Sequence, residues 1–411
     1  MRVLIMAYGS RGDIMPPTAL AAQLRKLGAE VRVCAPPDEE FSRLLAGVGV
    51  EHVPFGRAVR PLVTGAPPSP GFATEFAAEL VAGHFGTVAE AAEGCDALVA
   101  TGLMPAGARS VAEKLGIPYV YACFHPFEMP STNYLPSPRP GPGISADGID
   151  PTDNRALWDL DVQKVNALYL APLNAHRAEI GLPALDNVRD HVFGDRPWLA
   201  ADPVLGPWQD LTDLDLVQTG AWILPDERPL PADLEEFLDA GTPPVYVGFG
   251  SMPMRAATDV AKVTVEAVRA QGRRVLVSRG WAELGLVDDA DDCFAVGDLN
   301  HQALFPRVSA VVHHGGAGTT TTAARAGAPQ VVVPQFVDQP HWAAQVAALG
   351  IGAAHDGPVP TFESLSAALG TALGPKTAAR AKAVAGTVRT DGTAVAAKLL
   401  LETVRSQPVG R

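Results

Sequence analysis

The chain has 411 residues, enough for two domains of ordinary size, each able to close its own core. Apolar residues make up 47% and charged residues 19%, the balance of a globular protein. Thirty-two Lys and Arg against 45 Asp and Glu leave a net charge of −13, which argues against nucleic-acid binding and against a polybasic membrane-surface role.

The N-terminal segment Val3 to Ala7 is a continuous apolar run, as in a strand buried on both faces of a parallel sheet. Gly9-Ser10-Arg11-Gly12-Asp13 breaks it, and a helix is predicted from Pro16, with Leu20, Leu24 and Leu27 on one face. Gly28 closes that helix and Glu30 to Ala35 supplies the next strand, completing a βαβ unit. Further units are predicted at 97–123, and the pattern restarts with a strand at 244–248, a helix at 256–270 and strands at 274–278, 310–313 and 330–334. Two runs of alternating strand and helix imply an α/β protein of two doubly wound, Rossmann-like domains. The expected division is 1–217, a linker at 218–232 with three prolines in Leu224–Pro231, and 233–411. Pro61–Pro70 and His125–Pro151 are rich in proline and glycine and read as long loops suited to substrate binding.

Four cysteines, Cys34, Cys95, Cys123 and Cys293, lack CxxC spacing and read as buried thiols. No apolar run reaches membrane-spanning length and no cleavage site follows the N-terminal run, so a soluble, cytoplasmic protein is expected.

The most informative stretch is Val311-Val312-His313-His314-Gly315-Gly316-Ala317-Gly318-Thr319, a buried strand followed by a glycine turn that opens a helix. Gly316, Ala317 and Gly318 let backbone amides approach an anion, Thr319 adds a hydroxyl and His314 a ring donor. The ordinary alternative is a tight turn with a packed histidine. Ser251, after the strand ending Gly248-Phe249-Gly250, and Arg279, after the strand 274–278, are further phosphate candidates, or simply loop residues. Asp338-Gln339 offers several donors and acceptors in a small volume, suiting a polyol, although Asp338 also fits a helix N-cap before Pro340. Asp13 reads either as an N-cap or as a general base. Asp288-Asp289-Ala290-Asp291-Asp292 reads as a solvated loop and not a metal site.

Together these motifs resemble the inverting, nucleotide-sugar-dependent glycosyltransferases of GT-B fold, and within them the enzymes that decorate vancomycin-type glycopeptide antibiotics. The likeness runs from Gly9–Asp13 through Ala112–Pro118, Pro197–Pro203, Gln218–Pro229 and Gly248–Ser251 to His313–Thr319 and Asp338–Pro340. It implies a hexose transferred from a UDP- or dTDP-sugar to a hydroxyl, phenolic by expectation, of a peptide-antibiotic aglycone, with no cofactor and no metal. The diphosphate would meet Arg11, Gly12, Ser251, Arg279 and the His314–Thr319 turn. The base would lie against Val296–Asn300, and Asp338 and Gln339 would hold sugar hydroxyls. Asp13 would act as general base with Ser10 positioning the acceptor oxygen. A carboxylate of reference pKa near ~4 suits a phenol of pKa about 10 better than an aliphatic alcohol. His125 and Phe127 would contact the acceptor, and the helix at 393–404 would cross back to the first domain. A monomer is expected. A macrolide or aromatic polyketide acceptor is the alternative substrate. A nucleotide-sugar epimerase or a non-catalytic binding homologue is the alternative role. Gly9 and Gly12 give only G-x-x-G, which disfavours a nicotinamide-dependent oxidoreductase.

Overall fold

A computed structural model of the chain describes residues 1–65, 69–140, 142–208, 214–250, 257–280 and 290–406. The chain divides into two compact units: Met1–Ala201 with Pro207–Leu224 and Thr390–Arg411, and Asp202–Gly206 with Pro225–Arg389.

The first unit is built on strands β1 (Arg2–Tyr8), β2 (Glu30–Ala35), β3 (Glu51–Pro54), β4 (Ala97–Gly102), β5 (Tyr119–Cys123), β6 (Trp198–Leu199) and β7 (Val217–Gln218). They form a parallel sheet in the order β3-β2-β1-β4-β5-β6-β7. The second unit holds β8 (Val245–Gly248), β9 (Val275–Ser278), β10 (Cys293–Val296), β11 (Ala310–His313), β12 (Gln330–Val332) and β13 (Gly352–Ala354). Its parallel order is β10-β9-β8-β11-β12-β13. Both orders reverse direction once, between β1 and β4 and between β8 and β11. In open α/β sheets such a reversal leaves a crevice at the carboxyl ends of the two strands, where ligands bind.

Apolar residues alternate between two buried faces. Val3, Ile5 and Ala7 join a core with Leu20, Leu24 and Phe41, while Leu4, Met6 and Tyr8 join another with Leu80, Val88 and Val111. The second sheet repeats this, with Val245, Val247 and Val312 on one side and Tyr246, Leu276 and Val311 on the other. The C-terminal helix Gly392–Ser406 contributes Ala396, Ala397 and Leu400 to the first unit's core. No helix among the described residues is long and apolar enough to cross a membrane.

The first helix spans Arg11–Lys26 and does not wait for Pro16, because Ser10 serves as its N-cap and Asp13 occupies its first turn. Leu27 then falls at the C-cap and stands 50% exposed, off the predicted apolar face. The stretch read as a loop at 61–70 carries a short helix, Val59–Thr64. Asp38 caps it from a distance, accepting from the Val59 amide at 2.7 Å and the Arg60 amide at 3.0 Å.

The passage between units at Leu224/Pro225 falls within the proline-rich stretch. Beyond it, the Asn300 side-chain amide donates to the carbonyls of Asp226 and Arg228, both at 2.8 Å, and Arg228 pairs with Asp298 at 3.1 Å. All four cysteines are buried and none forms a disulfide.

Candidate functional site

At the second switch point, β11 ends at His313 opposite Gly248 of β8, and the chain turns through Gly315 and Gly316 into the helix Ala317–Arg325. His313 is fully buried and shapes this turn. Its Nδ1 accepts from the Gly315 amide at 3.1 Å, so the proton sits on Nε2, which donates to Gln330 Oε1 at 2.9 Å. Gln330 in turn donates to the Thr320 carbonyl at 3.3 Å. Gly315 has φ +95, and a β-carbon there would lie 2.7 Å from Val332 Cγ1.

His314 is wedged between two glycines. A β-carbon at Gly316 would meet its Nε2 at 2.6 Å, and one at Gly250 its Cε1 at 3.0 Å. Its Nδ1 is buried without a hydrogen-bond partner, which favours the proton on Nε2, beside the helix start. Burial pushes both histidines down, His313 to about 3 and His314 to about 4, so each is neutral at physiological pH.

The helix N-cap is Gly316, which has no side chain to satisfy the first-turn amides of Ala317, Gly318 and Thr319. Four threonines follow in a row. Thr320, Thr321 and Thr322 turn their hydroxyls back to the carbonyls of Gly316, Ala317 and Gly318 at 2.8–3.0 Å. Thr319 makes no such bond, so amides, a hydroxyl and an imidazole edge converge on one anion-sized place.

Arg279 follows β9 and stands exposed, with its amide donating to the Val296 carbonyl at 3.1 Å. That contact joins two of the predicted donor residues at the carboxyl ends of β9 and β10. Ser251 lies outside the described residues, as do Trp281, Asp288 and Asp289. Asp292, from the same acidic run, is paired with Arg269 at 2.6 Å. Among the described residues no group of three or more His, Cys, Asp or Glu is placed to hold a metal ion.

After β12 the chain makes a strained loop into the helix Gln339–Ala348. Val337 has φ +57, a left-handed conformation that costs a β-branched residue about 1–3 kcal/mol. Asp338 is the N-cap residue, and its Oδ2 accepts from Trp342 Nε1 at 2.8 Å. Gln339 is buried, with Oε1 accepting from the Gln335 amide at 2.7 Å and the Phe336 amide at 3.3 Å. The acceptor half of this amide therefore holds the loop's shape. The loop abuts the anion-sized place, since a β-carbon on Gly315 would lie 3.1 Å from the Gln339 carbonyl.

At the first switch point β1 ends at Tyr8, in register with Gly102 of β4. Asp13 is half-buried in the helix's first turn, and its Oδ2 accepts from the Ser10 amide at 2.8 Å, with Ser10 Oγ at 3.5 Å. Asp13 is thus the third helical residue and not the N-cap. Arg11 and Gly12 fill the first two positions, Arg11 half-buried and Gly12 exposed. Pro16 and Pro17 have no N–H, so the carbonyls of Gly12 and Asp13 lose their usual helical donors.

His125 stacks on Phe127 with ring centroids 4.0 Å apart, and Phe127 itself is buried. Nδ1 of His125 is buried without a hydrogen-bond partner, and Nε2 lies 3.5 Å from Glu128. The residues that hold this segment carry no motif. Arg139, nearly buried, pairs with Glu128 at 3.7 Å and with Asp161 at 2.6 Å, and Arg189 reaches Asp161 at 3.8 Å. Burial pushes the Asp161 carboxyl up against the pull of both arginines. The His313–Gln330 pair likewise carries no motif of its own: 17 residues separate the two, and only the pairing of β11 with β12 brings them together.

Two doubly wound parallel sheets, each with a glycine turn at its switch point, are the architecture of the GT-B glycosyltransferases. The family model Glycosyltransferase family 28 N-terminal domain matches residues 3–131, and Erythromycin biosynthesis protein CIII-like, C-terminal domain, matches residues 287–397. Glycosyltransferase GtfE of Amycolatopsis orientalis is 59% identical over 98% of both chains. The vancomycin aglycone glucosyltransferase of the same organism is 56% identical over 99% of both. Among solved structures, the glycotransferase of kitacinnamycin covers 98% of each chain with a TM-score of 0.74 at 21% identity, a likeness of fold. The chain belongs to the vancomycin-group glycopeptide glycosyltransferases, and it is a hexosyltransferase.

Proposed function

We propose that the chain moves a hexose from a UDP- or dTDP-sugar to a hydroxyl of a glycopeptide aglycone, in one displacement with inversion and without a metal. Its relatives of 56–59% identity, one of them named for the vancomycin aglycone, favour this acceptor over a macrolide or aromatic polyketide. The acceptor oxygen bonds to the anomeric carbon as the carbon–oxygen bond to the diphosphate breaks. Asp13 takes the acceptor's proton, with Ser10 beside it. Charge that develops on the departing diphosphate is met by the amides of Ala317, Gly318 and Thr319, the Thr319 hydroxyl and the His314 ring. Asp338, steadied by Trp342, accepts from sugar hydroxyls through its remaining acceptor capacity. His125 borders the acceptor. The enzyme works as a monomer in the cytoplasm.

The His314 turn carries this reading, because uncapped amides, a hydroxyl without a back-bond and the Nε2 edge of a neutral imidazole gather there. The test pairs two variants assayed with UDP- and dTDP-glucose on vancomycin aglycone. Asp13→Asn should lower kcat at least about 100-fold with nucleotide affinity intact. His314→Ala should weaken nucleotide diphosphate binding. Full turnover by the first variant would remove Asp13 from its role, and unchanged binding by the second would remove the turn from its own.

A further inference from the structure

The described residues include eight large apolar side chains that stand exposed, and four of them fall between positions 336 and 362: Phe336 at 49%, Val337 at 53%, Val359 at 64% and Phe362 at 39%. Phe336, Val337 and Val359 come from the loops that follow β12 and β13, neighbours in the sheet, and Phe362 opens the helix after the second loop. Gln335 fastens one loop to the other, its side-chain amide donating to the Pro358 carbonyl at 2.8 Å. The same residue's backbone amide is held by Gln339 Oε1. Apolar surface is therefore gathered on a built support, next to the candidate sugar residue Asp338.

The backbone points the same way. Val337 keeps a left-handed conformation although it is β-branched, and the residue before it and the residue itself both face outward. A glycine would fit that conformation without strain. Strain of this kind clusters where a loop must present particular groups to a ligand.

We propose that Phe336, Val337 and Val359 form an apolar ridge against which the acceptor's ring system rests, and that the ridge sets acceptor preference. The inference depends on the reading of Asp338 as a sugar-binding residue. Transfer requires the acceptor oxygen to touch the anomeric carbon, so the body carrying that oxygen must pass next to whatever flanks the sugar. A ridge one and two residues from Asp338 meets it there. An apolar surface in that position favours an acceptor whose hydroxyl sits on an aromatic or otherwise apolar ring, and disfavours free sugars and water.

Phe336→Ala, Val337→Gly and Val359→Ser, singly and together, test this with vancomycin aglycone and a saturating nucleotide sugar. Phe336→Ala should raise the acceptor KM roughly tenfold or more, while the Kd for UDP or dTDP stays within about twofold of wild type. Acceptor-free hydrolysis of the donor should rise in the triple variant as water gains access. An unchanged acceptor KM in every variant, with melting temperatures like the wild type's, overturns the ridge. Equal loss in donor and acceptor terms also overturns it, by reducing the effect to a damaged donor loop. Asp338→Asn is run alongside: if its donor KM is unchanged, the sugar-site reading falls, and the ridge with it, by a result that no ridge variant produces.

Discussion

The Asp13 carboxylate lies directly over the α-carbon of Gly9: a β-carbon at position 9 would come within 2.2 Å of Oδ2 and 2.4 Å of Cγ. Gly9 also holds φ +152, which other residues rarely adopt. The glycine that ends β1 therefore makes the room in which the proposed base sits. Gly9→Ala should push the carboxylate aside and reproduce most of the kcat loss of Asp13→Ala, about 100-fold or more, with the donor KM within twofold of wild type. Steady-state kinetics on the pair of variants checks this.

His313 never reaches the ligand side of its turn, yet its loss should register there. His313→Ala strips the Gly315 amide and Gln330 Oε1 of their partners in a fully buried place, a loss of about 1–3 kcal/mol in stability. The donor KM should rise with kcat less affected, because the turn's amides lose their alignment. His313→Asn should restore part of the affinity by supplying an acceptor for Gly315. Urea unfolding together with nucleotide titration measures both effects.

Acid should weaken both units. Burial pushes His84 to about 3 and His191 to about 4 in the first unit, and His313 to about 3 and His314 to about 4 in the second. In the unfolded chain each takes a proton near pH 6.5. Below that pH the folded protein therefore binds fewer protons than the unfolded chain. The neutral histidines' contribution is whole above pH 6.5 and is lost as pH drops toward 4. Each histidine removes about 1.4 kcal/mol per pH unit in that window, and with two in each unit both decline at a similar slope. Hydrogen exchange at pH 7.5 and 5.5, read separately for β1–β5 and β8–β12, should show protection falling in both. Diphosphate affinity should show no inflection near pH 6.5 from His314.

Arg139 is one of the ties that hold the proline-rich segment to the long helix Asn154–Glu179, beside the bonds from Asn154 to the Thr132 carbonyl and from Trp158 to the Tyr134 carbonyl. Arg139→Met leaves Asp161, only 2% exposed, with Arg189 at 3.8 Å as its remaining cation. Breaking a buried pair in this way costs about 3–5 kcal/mol. The variant should melt lower, and its acceptor KM should rise as His125 and Glu128 lose their support. Thermal unfolding and acceptor kinetics report the two effects.

Turnover should persist in excess EDTA if, as proposed, fixed amides, Thr319 and His314 meet the charge that a divalent ion would otherwise neutralise. A loss restored by added magnesium would contradict the proposed mechanism.

Much of the architecture could be read before any coordinates. The runs 3–7 and 310–312 are unbroken and apolar because both faces of a parallel sheet are covered, and such runs announce themselves. The glycines at 315 and 316 likewise mark a turn by composition alone. The parts that escaped are products of tertiary contact. Strands β6 and β7 are two residues long, too short for any periodicity. The start of the first helix at Arg11 depends on the Ser10–Asp13 bond, which outweighs the expectation set by Pro16. Gln330, Arg139 and Asp161 look like ordinary polar residues until folding brings their partners to them. The left-handed backbone of Val337 contradicts its residue type, so local propensity points the wrong way there.

The C-terminal helix has a practical consequence for building chimeras. Leu400 and its neighbours complete the first unit's interior, and Gly392 packs so closely on Gly220 and Ala221 that a β-carbon would sit 2.4 Å from the Ala221 carbonyl oxygen. A graft that exchanges the rear half of this enzyme for a relative's by a single cut would import a foreign tail into the recipient's core. Two junctions, at 224/225 and 389/390, would keep the native tail at home, and such hybrids should express as folded protein where single-cut ones precipitate.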